Sequence, residues 1–152
     1  MFDDLNDLYR EVILDHSRSP RNYGELPGAD RRAQGRNPLC GDQVTVYVKM
    51  DGDRIDDIRF QGTGCAIAKA SASVMTSALK GKTRAEVRTL FNAFQELVKT
   101  GQTGGEDLGK LGVFAGVHKF PARVKCAILS WHAVMAALKG EGEPVSTEND
   151  ET

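Results

Sequence analysis

The chain has 152 residues, 40% of them hydrophobic and 27% charged, the length and balance of one globular domain with a sizeable core. A formal net charge of −1, with no large basic block, excludes a broad electrostatic footprint on nucleic acid or on an anionic lipid surface. No apolar run is long enough to span a bilayer, and the acidic start Met1-Phe2-Asp3-Asp4 has no signal-peptide character, so a cytoplasmic protein with reduced thiols is expected.

Leu5, Leu8, Tyr9, Val12 and Ile13 recur at helical spacing, with Asp3 and Asp4 meeting the helix dipole, and Pro20 stops the helix. His16 lies on the same stripe and reads as a histidine packed at the helix end or hydrogen-bonded to its carbonyls, rather than a ligand. Residues 18–30 are loop-like, rich in Arg, Pro, Gly and Asn. Residues 31–37 form a short polar edge strand. A turn, Pro38-Leu39-Cys40-Gly41-Asp42, follows. Then Val44, Val46, Val48 and Met50 alternate with Thr45, Tyr47 and Lys49 as a half-buried strand. Asp51-Gly52-Asp53 is hairpin chemistry, and Ile58 and Phe60 mark the return strand.

Gly62-Thr63-Gly64 breaks that strand and delivers Cys65 to the start of a helix running to about Leu79 and ending at Gly81. Its bulky stripe is Ile67, Val74 and Ala78, with Met75 beside it. Cys65 sits about 200° from Ile67. Thr83-Arg84-Ala85-Glu86 is a capping box for a helix that packs through Val87, Leu90, Phe91, Phe94, Leu97 and Val98. Residues 106–116 are a mixed, glycine-punctuated connection with room for a short helical turn. Pro121 opens the last helix, whose packing stripe is Val124, Ile128, Trp131, Met135 and Leu138; Cys126 lies about 200° from Val124. Residues 1–140 thus read as one domain and 141–152 as an acidic, disordered tail.

The chain holds three cysteines, Cys40, Cys65 and Cys126, an odd and widely spread set that makes a poor disulfide framework. Cys65 and Cys126 sit near helix starts and off the bulky stripes, while Cys40 sits in a Pro/Gly turn. Helix N-termini favour thiolate, which suits metal binding and nucleophilic attack alike. If the three converge, Asp42 is the natural fourth ligand of a tetrahedral zinc. Arg123 and Lys125 would then offset its negative charge, or else be a solvated basic helix start. His118 precedes the Phe120-Pro121 turn, and His132 lies about 240° beyond Cys126; neither is expected as a ligand.

Residues 8–16 (LYREVILDH), Pro20-Arg21-Asn22, Asn37-Pro38-Leu39-Cys40-Gly41-Asp42, Gly64-Cys65-Ala66-Ile67, Ala70-Ser71-Ala72-Ser73 and Phe120-Pro121-Ala122-Arg123-Val124-Lys125-Cys126 together resemble the iron–sulfur cluster assembly family of the IscU and NifU N-terminal type, and most of all its SufU branch. The resemblance implies an α+β fold of the SufE/NifU-like kind, a small three-stranded antiparallel sheet with helices packed against it. It implies one metal site on Cys40, Asp42, Cys65 and Cys126. The scaffold branch has a histidine where this chain has Lys125, and a shorter connection between the second and third cysteines; both departures point to SufU. That branch implies a zinc-dependent sulfurtransferase that takes persulfide sulfur from a cysteine desulfurase of the SufS type and works with other SUF components. Cys40 would be the acceptor and Arg123 would help orient the partner. The alternatives are a scaffold carrying a labile [2Fe-2S] cluster on the same ligands, and a structural zinc protein.

Overall fold

A computed structural model of the chain describes residues 2–38, 41–102, 108–139 and 145–146. The elements follow in the order α1 (Phe2–Arg18), β1 (Arg31–Asn37), β2 (Asp42–Asp51), β3 (Arg54–Thr63), α2 (Ala66–Leu79), α3 (Arg84–Thr100), a 3-10 segment (Gly109–Lys119), α4 (Pro121–Lys139) and β4 (Val145–Ser146). The sheet order is β3-β2-β1-β4. The first three strands are antiparallel, as expected. The addition is β4, two residues within the expected tail, which pair in parallel with Gly35 and Arg36. The rest of 141–152 lies outside the described residues.

One face of the sheet carries the core. Val44, Val46 and Val48 of β2 alternate inward and meet Ile58 and Phe60 of β3. The opposite face is open and polar: Arg32, Gln34, Arg36, Gln43 and Lys49 are exposed there. Tyr47 is the exception. It is buried between its cross-strand partners Arg32 and Arg59, and its hydroxyl accepts from Gln61 Nε2 at 2.8 Å.

The inner face is covered chiefly by α4, which lies on β1 and β2, with α2 against α4 and β3. Because α4 is sheathed on nearly every side, its expected stripe understates its burial: Ala127, Leu129, Ala133, Val134 and Ala137 are buried along with Ile128, Trp131 and Leu138. α3 begins at the expected capping box, with Thr83 as N-cap, and ends at Gly101 in the left-handed region. Its Phe94 stacks on Trp131 at 4.7 Å between ring centroids and meets Phe114 edge-on at 5.7 Å. The glycine-punctuated connection contains the 3-10 segment, whose Leu111, Phe114 and Val117 are buried at the three-residue spacing of that helix.

The small residues of α2 admit two close neighbours, and its serines fasten them. Ser71 donates to the carbonyl of Ala127 in α4. Ser73, about 200° further round, accepts from the Arg21 N–H at 2.8 Å and bonds His16 Nδ1 of α1 at 2.7 Å. His16 is therefore packed, as expected, but its partner is a hydroxyl of another helix rather than a carbonyl of its own. His16 is 3% exposed. Burial, then the charge of Arg21, holds its pKa below the ordinary 6.5, against the opposing pull of Asp15. A depressed basic group takes up its proton more readily in the unfolded chain. Stability is therefore full above about pH 6.5 and falls as pH drops below it. Urea unfolding between pH 7.5 and 5.5 is expected to show this decline, and His16→Gln to flatten it; equal slopes would rule His16 out as its source.

Candidate metal centre

The site is assembled where the ends of two strands meet the starts of two helices. Asp42 is the first residue of β2, opposite Asn37 of β1, and is 2% exposed. The turn between them closes with Gly41 N–H donating to the Asn37 carbonyl at 2.9 Å, and Gly41 has φ +72, a conformation that favours glycine. Leu39 and Cys40 lie outside the described residues. The chain keeps Cys40 within two residues of Asp42, about 7 Å of backbone at most.

Cys65 is the N-cap of α2, with φ −70 and ψ 170. Its Sγ takes the place of the usual serine or threonine oxygen and accepts from Ala68 N–H at 3.4 Å. Its own N–H donates to Asp42 Oδ1 at 3.1 Å, and its Sγ lies 3.9 Å from Oδ2. This closeness depends on Gly64, where a Cβ would stand 3.0 Å from Asp42 Oδ1 and 3.3 Å from Cγ. Gly64, which the sequence already places directly before Cys65, is thus a positioning residue. Cys126, buried near the start of α4, completes the group: one ligand atom each from Asp42, Cys65 and Cys126 lie within 4.8 Å of one another.

The two thiols at this range compete for protons. The Cys126 S–H bonded to Cys65 lowers the Cys65 thiol to about 6 despite burial, and the Ala68 N–H assists. The same bond, with burial and the nearby Asp42, pushes the Cys126 thiol up. One proton is thus retained between two sulfurs. Arg123 is exposed on the first turn of α4, and the negative charge of Cys65 foremost stabilises its guanidinium, with bonds to both sulfurs contributing. A set of two sulfurs and one carboxylate oxygen, spaced close to what ligands about 2.0–2.3 Å from one ion require, fits zinc. The buried negative charge favours a cation there.

His118 is engaged elsewhere, its Nδ1 donating to the Ala115 carbonyl at 2.7 Å, and His132 meets the Phe91 ring edge-on. Lys125 is partly buried next to Cys126.

Residues 8–127 match the model of the NifU-like N-terminal domain. The chain belongs to the NifU-like N-terminal domain family. Its relatives in this iron–sulfur cluster assembly family carry two kinds of name at nearly equal similarity. The scaffold protein IscU of Streptococcus pyogenes serotype M1 is 43% identical over 136 residues, covering 89% of this chain and 85% of its own. The zinc-dependent sulfurtransferase SufU of Bacillus subtilis (strain 168) is 42% identical over 138 residues, covering 90% and 93%. The crystal structure of FiSufU from Fervidobacterium islandicum AW-1, which carries the name of an iron–sulfur cluster assembly scaffold protein for the SUF system, superposes with a TM-score of 0.79 at 36% identity, covering 86% of this chain and 96% of that one. The family fold is the expected small antiparallel sheet with helices packed against it. Among the described residues, no helix is long and apolar enough to cross a membrane.

Proposed function

We propose that the protein is a zinc-dependent sulfurtransferase of the SufU kind, accepting persulfide sulfur from a SufS-type cysteine desulfurase for iron–sulfur cluster assembly in the cytoplasm. The observation that carries this reading is the ligand group itself: Asp42, Cys65 and Cys126 gathered with no histidine in the group among the described residues. Lys125 before Cys126, and the inserted α3 between Cys65 and Cys126, favour the same branch. The sulfurtransferase name of the Bacillus subtilis relative agrees with it.

Cys40, Asp42, Cys65 and Cys126 would hold the zinc, whose contribution is to keep thiol ligands deprotonated at neutral pH. In the transfer, the Cys40 thiolate attacks the outer sulfur of a persulfide on the partner. A sulfur–sulfur bond forms on Cys40, the sulfur–sulfur bond of the partner breaks, and the partner's cysteine leaves as a thiolate, so charge is conserved and nothing is oxidised overall. In sequence Cys40 stands in a Pro/Gly stretch, whereas Cys65 and Cys126 stand at the starts of packed helices, so Cys40 is the sulfur proposed to reach outward. Arg123, exposed and beside the sulfurs, orients the incoming persulfide through its anionic charge.

A scaffold reading has the Streptococcus pyogenes relative in its favour, since thiolate ligands hold iron as well as zinc. Anaerobic purification followed by mixing with desulfurase and L-cysteine separates the two. The expected result is a colourless zinc protein, persulfidated at Cys40, that raises desulfurase turnover. A coloured iron protein that passes a cluster onward would replace this reading with the scaffold.

A further inference from the structure

A small hollow beside Asp42 contains a polar group that the metal centre does not use. It measures about 20 Å3 and is walled by Val44, Phe60 and Leu129, with Asp42, Gly64 and Ser130 completing it. One water needs about 10–15 Å3 of such space and two to four polar partners. Ser130 supplies the first partner. It is 2% exposed, and its hydroxyl has no hydrogen-bond partner among the described residues. A buried serine within a helix commonly satisfies itself on the carbonyl four residues back. Ser130 does not, although it stands one turn beyond Cys126, on the same face of α4. Buried hydroxyls left without any partner are rare in folded proteins, and ordered water is the usual remedy.

Asp42 supplies the second partner. Its carboxylate is buried, and such a group accepts about four hydrogen bonds when its needs are fully met. The Cys65 N–H takes one place, on Oδ1. Oδ1 lies on the Gly64 side, where a Cβ would stand 3.0 Å from it, and Gly64 also borders the hollow. The glycine keeps that approach to the carboxylate open.

We propose that one water sits in this hollow, accepts from the Ser130 hydroxyl and donates to Asp42 Oδ1, which makes Ser130 a positioning residue of the metal centre. With Oδ1 held by the Cys65 N–H and by the water, Oδ2, 3.9 Å from Cys65 Sγ, is the oxygen left to face an ion. Bonds of this outer kind orient a ligating carboxylate, and losing one typically costs about 10–100-fold in metal affinity. The water's seat stands on the hollow and the two buried groups; its effect on zinc rests on the metal reading above.

The test compares the full chain with Ser130→Ala. A high-resolution crystal structure of the parent is expected to show a water within about 3.2 Å of both Ser130 Oγ and Asp42 Oδ1. No water at that place overturns the seat, as does the ammonium of Lys69, which also borders the hollow, standing there instead. In thermal unfolding, Ser130→Ala is expected to lower the midpoint by about 3 °C, the worth of one hydrogen bond in a domain of this size. A raised or unchanged midpoint overturns the seat, because removing a hydroxyl that bonds nothing relieves a cost. Zinc affinity, read by competition with a chromophoric chelator, is expected to fall about 10-fold in Ser130→Ala. It is expected to keep the parent value in Ser73→Ala, whose buried hydroxyl serves His16 and Arg21 instead. Equal affinity in Ser130→Ala and the parent overturns the positioning role. A parent that takes up no zinc counts against the metal reading above, while the water and the unfolding midpoint still decide the seat.

Discussion

Cys40→Ala is expected to abolish sulfur acceptance, lowering the rate of persulfide transfer by more than about 10³-fold while leaving a folded protein. The loss is complete because the thiolate is the nucleophile, and alanine offers no atom to carry the sulfur. The fold survives because the other candidate ligands are fixed by elements that do not need Cys40: Asp42 by β2 and its bond from the Cys65 N–H, Cys65 by its cap on α2, and Cys126 by the buried start of α4. Cys65→Ala is expected to behave differently. It removes the sulfur that accepts from Ala68, at a cost of about 1 kcal/mol for a lost cap, and it removes a candidate ligand. Zinc content, thermal unfolding and persulfide mass spectrometry on both variants check this. Cys40→Ala that still accepts sulfur at the parent rate would move the acceptor role to another cysteine. Identical loss of zinc and stability in the two variants would leave a structural metal and no transfer.

Gly62→Ala is expected to destabilise the fold by about 3–5 kcal/mol, a large share of the roughly 5–15 kcal/mol that holds a domain together. Gly62 pairs with Val44 near the end of β3 and has φ +152. A Cβ there would stand 2.1 Å from the Gln43 carbonyl oxygen and 2.9 Å from both Gln43 C and Val44 Cα. All of these are backbone atoms, so no side chain can swing aside. The cost combines overpacking, about 1–3 kcal/mol, with strain of an L-residue in a sparsely allowed region, again about 1–3 kcal/mol. Gly52→Ala is the control: φ is +61, yet nothing lies within 4 Å of the added carbon, and about 1 kcal/mol is expected. Urea midpoints decide. A parent-like midpoint for Gly62→Ala would contradict this account of the strand end that delivers Cys65.

Features that depend on a few neighbouring residues were legible in the sequence. The Thr83–Glu86 capping box, the hairpin at Asp51-Gly52-Asp53, the Pro121 helix start and the alternation of Val44, Val46 and Val48 are local, and each forms where its residues place it. The metal centre was not legible in that way. Asp42, Cys65 and Cys126 are separated by long stretches of chain, and no spacing rule joins them; the family resemblance did, and the fold brings these three together. Cys40 lies outside the described residues. The 3-10 segment was legible only as a short helical turn; its length rests on hydrophobic residues at every third position, Leu111, Phe114 and Val117, among glycines. β4 had none, because its pairing is decided by the edge of β1 rather than by its own composition. The roles of Ser71 and Ser73 were equally hidden: each hydroxyl finds its partner on a different, distant helix.

The Ser71 bond to Ala127 joins α2 and α4 at the residue that follows Cys126. Two helices that carry the candidate ligands Cys65 and Cys126 are held together by this bond. The Cys65–Cys126 half of the centre is thus a rigid jaw set by folding. Loading an ion onto it would spend little ordering entropy.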